Sequence, residues 1–173
     1  TDPEIKRKLG LVVAAREFAI SMGLNPKESF TRYTKLDRDV LTWVVVGSKP
    51  EAFELATWWF PIVGRVPYKG FWERDDAENA AKDLSAEGYE TWVRGSDAIS
   101  TLGWFNDPIL STTLNRSDFD LVNTVIHEIT HSTVWVPDHV DFNESLANFV
   151  GHRGAVQYFK ESPEAQAELQ FEF

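Results

Sequence analysis

The sequence predicts an α+β fold in which a mixed or antiparallel sheet packs against a pair of helices. Apolar residues recur three and four positions apart in residues 3–22 and again after Ser117, which is the spacing of amphipathic helices. β-Branched and aromatic residues instead concentrate in residues 29–46 and 57–68, and such residues favour strands. At 173 residues the chain can bury a core, so we expect a single domain, residues 1–173, consistent with a trimmed form of a longer chain.

The first half of the chain predicts one helix followed by extended structure. Pro3 suits the first turn of a helix that ends before Gly23. Residues 29–46 predict two strands, because the polar residues 37–39 interrupt the β-favouring set with a turn. Residues 57–68 predict extended structure with bends, since two prolines and a glycine within them are incompatible with a long helix.

The second half of the chain alternates helical and extended patterns. The expected elements are a helix over residues 73–87 ended by Gly88, strands over 89–93 and 99–105, a helix that opens at Ser117 and contains residues 127–131, and a helix from residues 141–143 towards Tyr158. The strand over 99–105 is predicted either as an edge that pairs with an extended peptide or as an ordinary internal strand.

Composition excludes several classes of protein. The formal net charge of −10, spread over the chain, argues against a nucleic-acid partner, because phosphate binding needs a basic surface. No apolar run reaches the length of a membrane span, so no integral membrane segment is expected in this chain. The absence of cysteine excludes thiolate ligands, so any metal site must use nitrogen and oxygen.

The most informative motif is His127-Glu128-Ile129-Thr130-His131. On a helix, histidines four residues apart lie on the same face, with Cβ atoms roughly 5–6 Å apart, so both imidazoles can bind one ion. Glu128 projects about 100° around the helix, where a general base can act on a metal-bound water without ligating the metal. The alternative is a helix whose two histidines have no metal.

A catalytic zinc site needs one further protein ligand, and several residues are candidates. A metzincin pattern would require glycine and histidine where this chain has Val134 and Pro137. Pro137 should end the first helix, and an antiparallel second helix would then bring Glu144 back beside the histidines. Glu144 could instead be the partner of Asp141 in a capping box. His139 is the competing ligand, and it is also a possible transition-state donor.

The chain resembles the bacterial putative aminopeptidase family of zinc-dependent, gluzincin-type HExxH metallopeptidases. The resemblance extends over most of the chain and rests on residues 58–64, 100–108, 127–131 and 142–145. It implies a zincin-like fold, His127, His131 and Glu144 as ligands of one zinc ion, and Glu128 as the catalytic residue. A location in the cell envelope is also implied, because relatives resemble exported lipoproteins.

The expected function is therefore zinc-dependent hydrolysis of peptide bonds, with a peptide as the partner and aminopeptidase activity implied by the family. In this mechanism the zinc acidifies its bound water and polarises the peptide carbonyl, while Glu128 accepts the proton. Two alternatives stay open, a metallo-endopeptidase and a non-catalytic zinc-binding interaction domain.

Overall fold

The computed structural model of the protein describes residues 2–37, 40–52, 54–61, 64–96 and 107–161. In chain order the elements are α1 (Pro3–Ser21), β1 (Tyr33–Thr34), β2 (Thr42–Ser48), β3 (Trp58–Phe60), β4 (Gly64–Val66), β5 (Lys69–Phe71), α2 (Arg74–Ala86), β6 (Glu90–Ser96), β7 (Ile109–Leu110), a 3-10 helix (Thr113–Asn115), α3 (Asp118–Thr133) and α4 (Val140–Glu161). The chain is thus α+β, with long helices and small sheets.

The chain divides into two compact units, which are described separately. The helical unit comprises Thr1–Leu36, Ser100–Trp135 and Asp141–Phe173. The sheet unit comprises Asp37–Ile99 and Val136–Val140. The single domain expected over residues 1–173 stays a prediction.

The core of the helical unit is formed by α1, α3 and α4. It is one apolar cluster that includes Val12 of α1, Leu121 and Val125 of α3, and Phe159 of α4. Burial of this cluster follows from the three- and four-residue apolar spacing of the helices, which places these side chains on one face. His127 and His131 lie on another side of α3, where they face Glu144 of α4.

Both α1 and α3 begin at capping side chains. The Asp2 carboxylate accepts a hydrogen bond from the Glu4 N–H at 2.9 Å, and Pro3 occupies the first turn. The Ser117 hydroxyl oxygen accepts a hydrogen bond from the Asp120 N–H at 3.0 Å. Such a cap satisfies one of the free N–H groups of the first turn and typically contributes about 1 kcal/mol.

The first turn of α3 is also tied to α1 by an ion-pair cluster. Asp118, which is only 8% exposed, binds the guanidinium of Arg7 and lies 2.6 Å from the Lys8 Nζ. Lys8 also donates to the backbone carbonyl of Arg116 at 2.6 Å. The hydrogen bond from Arg7, with that from Lys8 and both cationic charges, lowers the pKa of Asp118 to about 2 against the opposing effect of burial.

The sheet unit is built on a three-stranded antiparallel sheet of order β5-β2-β6. Helix α2 covers one face, where Val45 of β2 packs with Ala77 and Ala81 of α2. Gly88 follows the C-terminal end of α2 and has φ +84°, a left-handed conformation that favours glycine. β3 and β4 form a separate antiparallel hairpin.

Most of the predicted elements are confirmed. All four predicted helices are present: α1 corresponds to residues 3–22, α2 to residues 73–87, α3 to the helix from Ser117 and α4 to the helix from residues 141–143. The extended structure predicted over residues 57–68 contains the paired strands β3 and β4. The strand expected over residues 99–105 lies outside the described residues. Strand β5 was not anticipated. No helix among the described residues is both long and apolar enough to cross a bilayer.

Candidate metal centre

Helix α3 places His127 and His131 one turn apart, with both imidazoles directed to the same point. Their Nε2 atoms lie 3.1 Å apart and their ring planes are inclined at 86°. His131 is 3% exposed and His127 is half-buried. Two ring nitrogens at this distance cannot both present unshared lone pairs to each other, so at least one must be protonated or a cation must lie between them.

Glu144 completes the group from α4. Its carboxylate oxygens lie 3.5 Å from the His127 Nε2 and 3.4 Å from the His131 Nε2. Within the described residues, these three side chains form the group of histidine and acidic residues whose ligand atoms, all within 4.8 Å of one another, suit a metal ion. The structure therefore brings together all three residues expected as ligands.

The separations between atoms of the three side chains are close to those of a tetrahedral site. For zinc bonds of about 2.0–2.2 Å, the edges of a tetrahedron measure about 3.3–3.6 Å. The distance from the His127 Nε2 to the Glu144 Oε2 is 3.5 Å and that from the His131 Nε2 to the Glu144 Oε1 is 3.4 Å, so each oxygen lies within that range of one ring, and the 3.1 Å between the two nitrogens is only slightly shorter. Two nitrogens and one carboxylate are also a donor set that zinc uses in catalytic sites, which keep a fourth position open.

The electrostatics of the group favour a cation. Hydrogen bonds with His127 and then His131 lower the pKa of Glu144 to about 2, although burial opposes this. Burial disfavours a charged His127, but the hydrogen bond with Glu144 and the negative charges of Glu128 and Glu144 outweigh it and raise the pKa of His127. The group thus concentrates negative charge around the two rings.

The chain reverses between the two ligand helices in a short turn. α3 ends at Thr133, four residues before the Pro137 expected to end it, and Val134 is already extended at φ −134°. Asp138 has φ +64°, and its Oδ1 accepts a hydrogen bond from the Arg65 N–H at 2.9 Å. α4 then begins at Val140.

The two ligand helices pack antiparallel. Along α4, Glu144 meets the C-terminal half of α3, whereas Phe159 stacks on Phe119 in the first turn of α3, with ring centroids 5.9 Å apart. This is the arrangement from which the sequence predicted Glu144 as the third ligand. His152 and Tyr158, further along α4, contact Phe119 and Phe18.

Glu128 lies beside the three ligand residues rather than among them. Its negative charge contributes to the raised pKa of His127, so its carboxylate is near that ring. Its Oε2 is buried and has no hydrogen-bond partner among the described residues. A buried carboxylate oxygen next to a metal site is the arrangement that a general base requires.

The alternatives to Glu144 find less support. His139 is exposed and belongs to the sheet unit, and it is not part of the ligand group. Asp141 lies inside the first turn of α4 rather than before it, so it is not placed as the N-cap of a capping box. The role of His139 as a transition-state donor stays a prediction.

Two residues around the histidines were missed by the sequence reasoning. Asn148, one turn after Glu144 on α4, lies near His127 and contributes to the raised pKa of that ring. The Trp135 ring contacts the edge of His131, with centroids 5.4 Å apart, and the buried Nδ1 of His131 has no partner among the described residues. The four-residue spacing from Glu144 to Asn148 was the signal available in the sequence.

The described residues thus combine two histidines on one helix, a carboxylate on the next and a glutamate with one buried carboxylate oxygen beside them, a group that could hold a metal ion. The chain belongs to the family described as "Putative aminopeptidase", whose model matches residues 1–172. No curated protein and no solved structure matches the chain.

Proposed function

We propose that this protein is a zinc-dependent peptidase of zincin-like fold, most specifically an aminopeptidase, whose His127, His131 and Glu144 hold one zinc ion. The observation that carries the proposal is the convergence of three side chains from two helices: the two Nε2 atoms lie 3.1 Å apart, and each lies 3.4–3.5 Å from one of the two Glu144 carboxylate oxygens. Membership of the family supports peptide hydrolysis as the reaction.

The surroundings of the histidines fit a resident metal. The Nε2 atoms face the ligand group, so each ring then carries its proton on Nδ1. The Nδ1 of His131 is then the protonated nitrogen, and it is buried without an acceptor among the described residues. Asn148 is near His127 and contributes to the raised pKa of that ring.

When bound, a zinc ion supplies positive charge that makes water more acidic and polarises a peptide carbonyl. Glu128 accepts the proton of the attacking water on its buried carboxylate and then donates that proton to the departing amine. The charge balance is preserved, because Glu128 is anionic before and after each turnover. Glu144 and the histidines remain in place throughout.

The role of Glu128 is tested by Glu128→Gln, which keeps the shape of the side chain and removes its basicity. The variant should retain zinc at the stoichiometry of the parent, while kcat falls about 10²–10⁴-fold, the usual contribution of a general base. Glu17→Gln changes an exposed carboxylate on α1 and serves as the control. Full activity of Glu128→Gln with zinc bound contradicts the proposal.

The aminopeptidase assignment has a separate test. The same peptides are offered with a free and with an acetylated N-terminus, and products are identified by mass spectrometry. An aminopeptidase releases the first residue of the free peptides and leaves the acetylated ones intact. Internal cleavage of the acetylated peptides makes the protein an endopeptidase, and cleavage of neither set by zinc-loaded protein favours the non-catalytic alternative.

A further inference from the structure

Helices α3 and α4 approach each other closely at Gly151. A Cβ atom placed on Gly151 would lie 2.7 Å from the Asn123 Oδ1, 3.0 Å from the Asn123 backbone oxygen and 3.1 Å from the His127 Cβ. Carbon atoms in favourable contact are about 3.5–4.0 Å apart. Any side chain at position 151 would therefore push the two helices apart.

The residues that meet Gly151 belong to the row of α3 that carries the metal ligands. Asn123, His127 and His131 are spaced by four residues and share one face of the helix. Gly151 follows Glu144 by seven residues, which is two turns or about 10 Å along α4. The close contact at Gly151 thus involves His127, a proposed ligand on α3, and lies two turns from Glu144, the proposed ligand on α4.

The side chain of Asn123 packs directly against Gly151. Its Oδ1 is buried and has no hydrogen-bond partner among the described residues, and it faces the backbone of Gly151. A buried acceptor against a glycine backbone is typical of helix pairs that approach closely, where Cα–H groups make weak contacts with oxygen. The contact depends on the absence of a side chain at position 151.

Gly154 offers an internal comparison on the same helix. A Cβ there would meet the Cδ1 and Cγ2 of Ile126 and the Cε of Met22 at 3.0–3.1 Å. These are the ends of flexible side chains in the apolar core, and none belongs to a ligand. Alanine at position 154 therefore crowds the core without pressing on the metal site.

We propose that Gly151 is a positioning residue for the metal centre, because it sets the distance at which Glu144 reaches His127 and His131. This inference rests on the metal site of the proposed function. A methyl group at position 151 must lengthen contacts of 3.0–3.1 Å by a few tenths of an ångström. Metal sites tolerate changes of only about 0.2 Å in ligand distances, so the displacement is large enough to matter.

The test compares Gly151→Ala with Gly154→Ala, both glycine-to-alanine changes in α4 with the same gain in helix propensity. Zinc affinity is measured by competition with a chromogenic chelator, and apo stability by urea unfolding. Gly151→Ala should lose about tenfold or more in zinc affinity, as changes around ligands typically do. Gly154→Ala should stay within about twofold, since it touches no ligand. The visible spectrum of the cobalt(II)-loaded proteins should change for Gly151→Ala alone, because it reports ligand geometry.

A second pair of variants keeps the test decisive if Gly151→Ala does not fold. Asn123→Ala removes the closest of the three clashing atoms, so Asn123→Ala/Gly151→Ala should fold and bind zinc more tightly than Gly151→Ala, yet more weakly than Asn123→Ala alone. Equal zinc affinity of the double variant and Asn123→Ala overturns the inference. So does a Gly151→Ala that binds like the parent, or a Gly154→Ala that loses as much. Failure of the parent to bind zinc instead overturns the proposed function itself.

Discussion

Among the described residues of the helical unit, two carboxylates, Asp118 and Glu144, have a pKa lowered to about 2, and they differ in the groups that face them. Asp118, at the N-terminal end of α3, is bound by Arg7 and Lys8, which carry permanent charges. Glu144 faces His127 and His131 near the other end of α3, and imidazoles are neutral at pH 7 unless their environment protonates them. The first carboxylate is paired with permanent positive charges, whereas the partners of the second are charged only when they are protonated.

This difference separates a structural ion pair from a binding site. Asp118, Arg7 and Lys8 satisfy one another in a nearly buried cluster, so no ligand is needed there. The Glu144 group brings a negative charge and two ring nitrogens together at distances that suit a metal. A strongly shifted pKa alone does not distinguish the two, but the identity of the partners does.

The largest expected effect comes from Glu144→Ala, which removes a ligand. Zinc affinity should fall more than about a hundredfold, beyond the range typical of residues that only support a ligand. The stability of the apo protein should change by less than about 1 kcal/mol, because this carboxylate is substantially exposed. His139→Ala is the matched control and should bind zinc like the parent. The reverse result would transfer the third-ligand assignment to His139.

Asp118→Asn should lower the stability of the protein and leave its zinc affinity unchanged, the reverse of what is expected for Glu144→Ala. The pKa shift of Asp118 corresponds to about 2 kcal/mol of folding free energy, and the variant also leaves the nearly buried Lys8 without its charge partner. Urea unfolding of the apo protein should therefore show a loss of about 2 kcal/mol or more, with unchanged zinc affinity. A loss of zinc binding without a loss of stability would remove the distinction between the two carboxylates.

The pH dependence of that loss provides a further check. The pKa of Asp118 is about 2 in the folded protein, against 3.8 for an unperturbed aspartate side chain, so folding favours the ionised form. Its stabilisation is complete above about pH 4 and is lost as the pH falls towards 2. The difference in unfolding free energy between parent and Asp118→Asn should shrink over this interval. A difference that stays constant down to pH 2 would mean that the charge of Asp118 is not its source.

The smallest expected effect concerns Asn148, which supports His127 rather than the metal. Asn148→Ala should weaken zinc binding about tenfold, the lower end of what residues supporting a ligand contribute. Asn148→Asp retains an acceptor for the ring and should restore affinity. Competition titrations of both variants measure the effect, and equal binding by Asn148→Ala and the parent would show that the Asn148 side chain is dispensable.

Much of the fold follows from local sequence patterns. Pro3, Ser117 and the apolar spacing after them predict α1 and α3, because capping and amphipathicity are local properties. Strand β5 was missed, since Lys69–Phe71 is short and is stabilised by pairing with β2, a contact distant in sequence. The Arg7–Asp118 ion pair was missed for the same reason, because its partners are 111 residues apart.

The candidate site was predicted more completely than the fold around it. The four-residue spacing of His127 and His131 determines their common face, and Pro137 with the following helix predicts the return of Glu144. The end of α3 was placed too late, because the chain leaves the helix at Val134 before the proline is reached. The close approach at Gly151 has no local signature, since it depends on which residue of α3 lies opposite.

The most direct test of the metal centre is anomalous X-ray scattering at the zinc absorption edge from crystals of the zinc-loaded protein. The predicted result is one strong peak about 2.0–2.2 Å from the Nε2 atoms of His127 and His131 and from the Glu144 carboxylate. A zinc peak elsewhere, or none at these three residues in protein shown to carry zinc, would contradict the account.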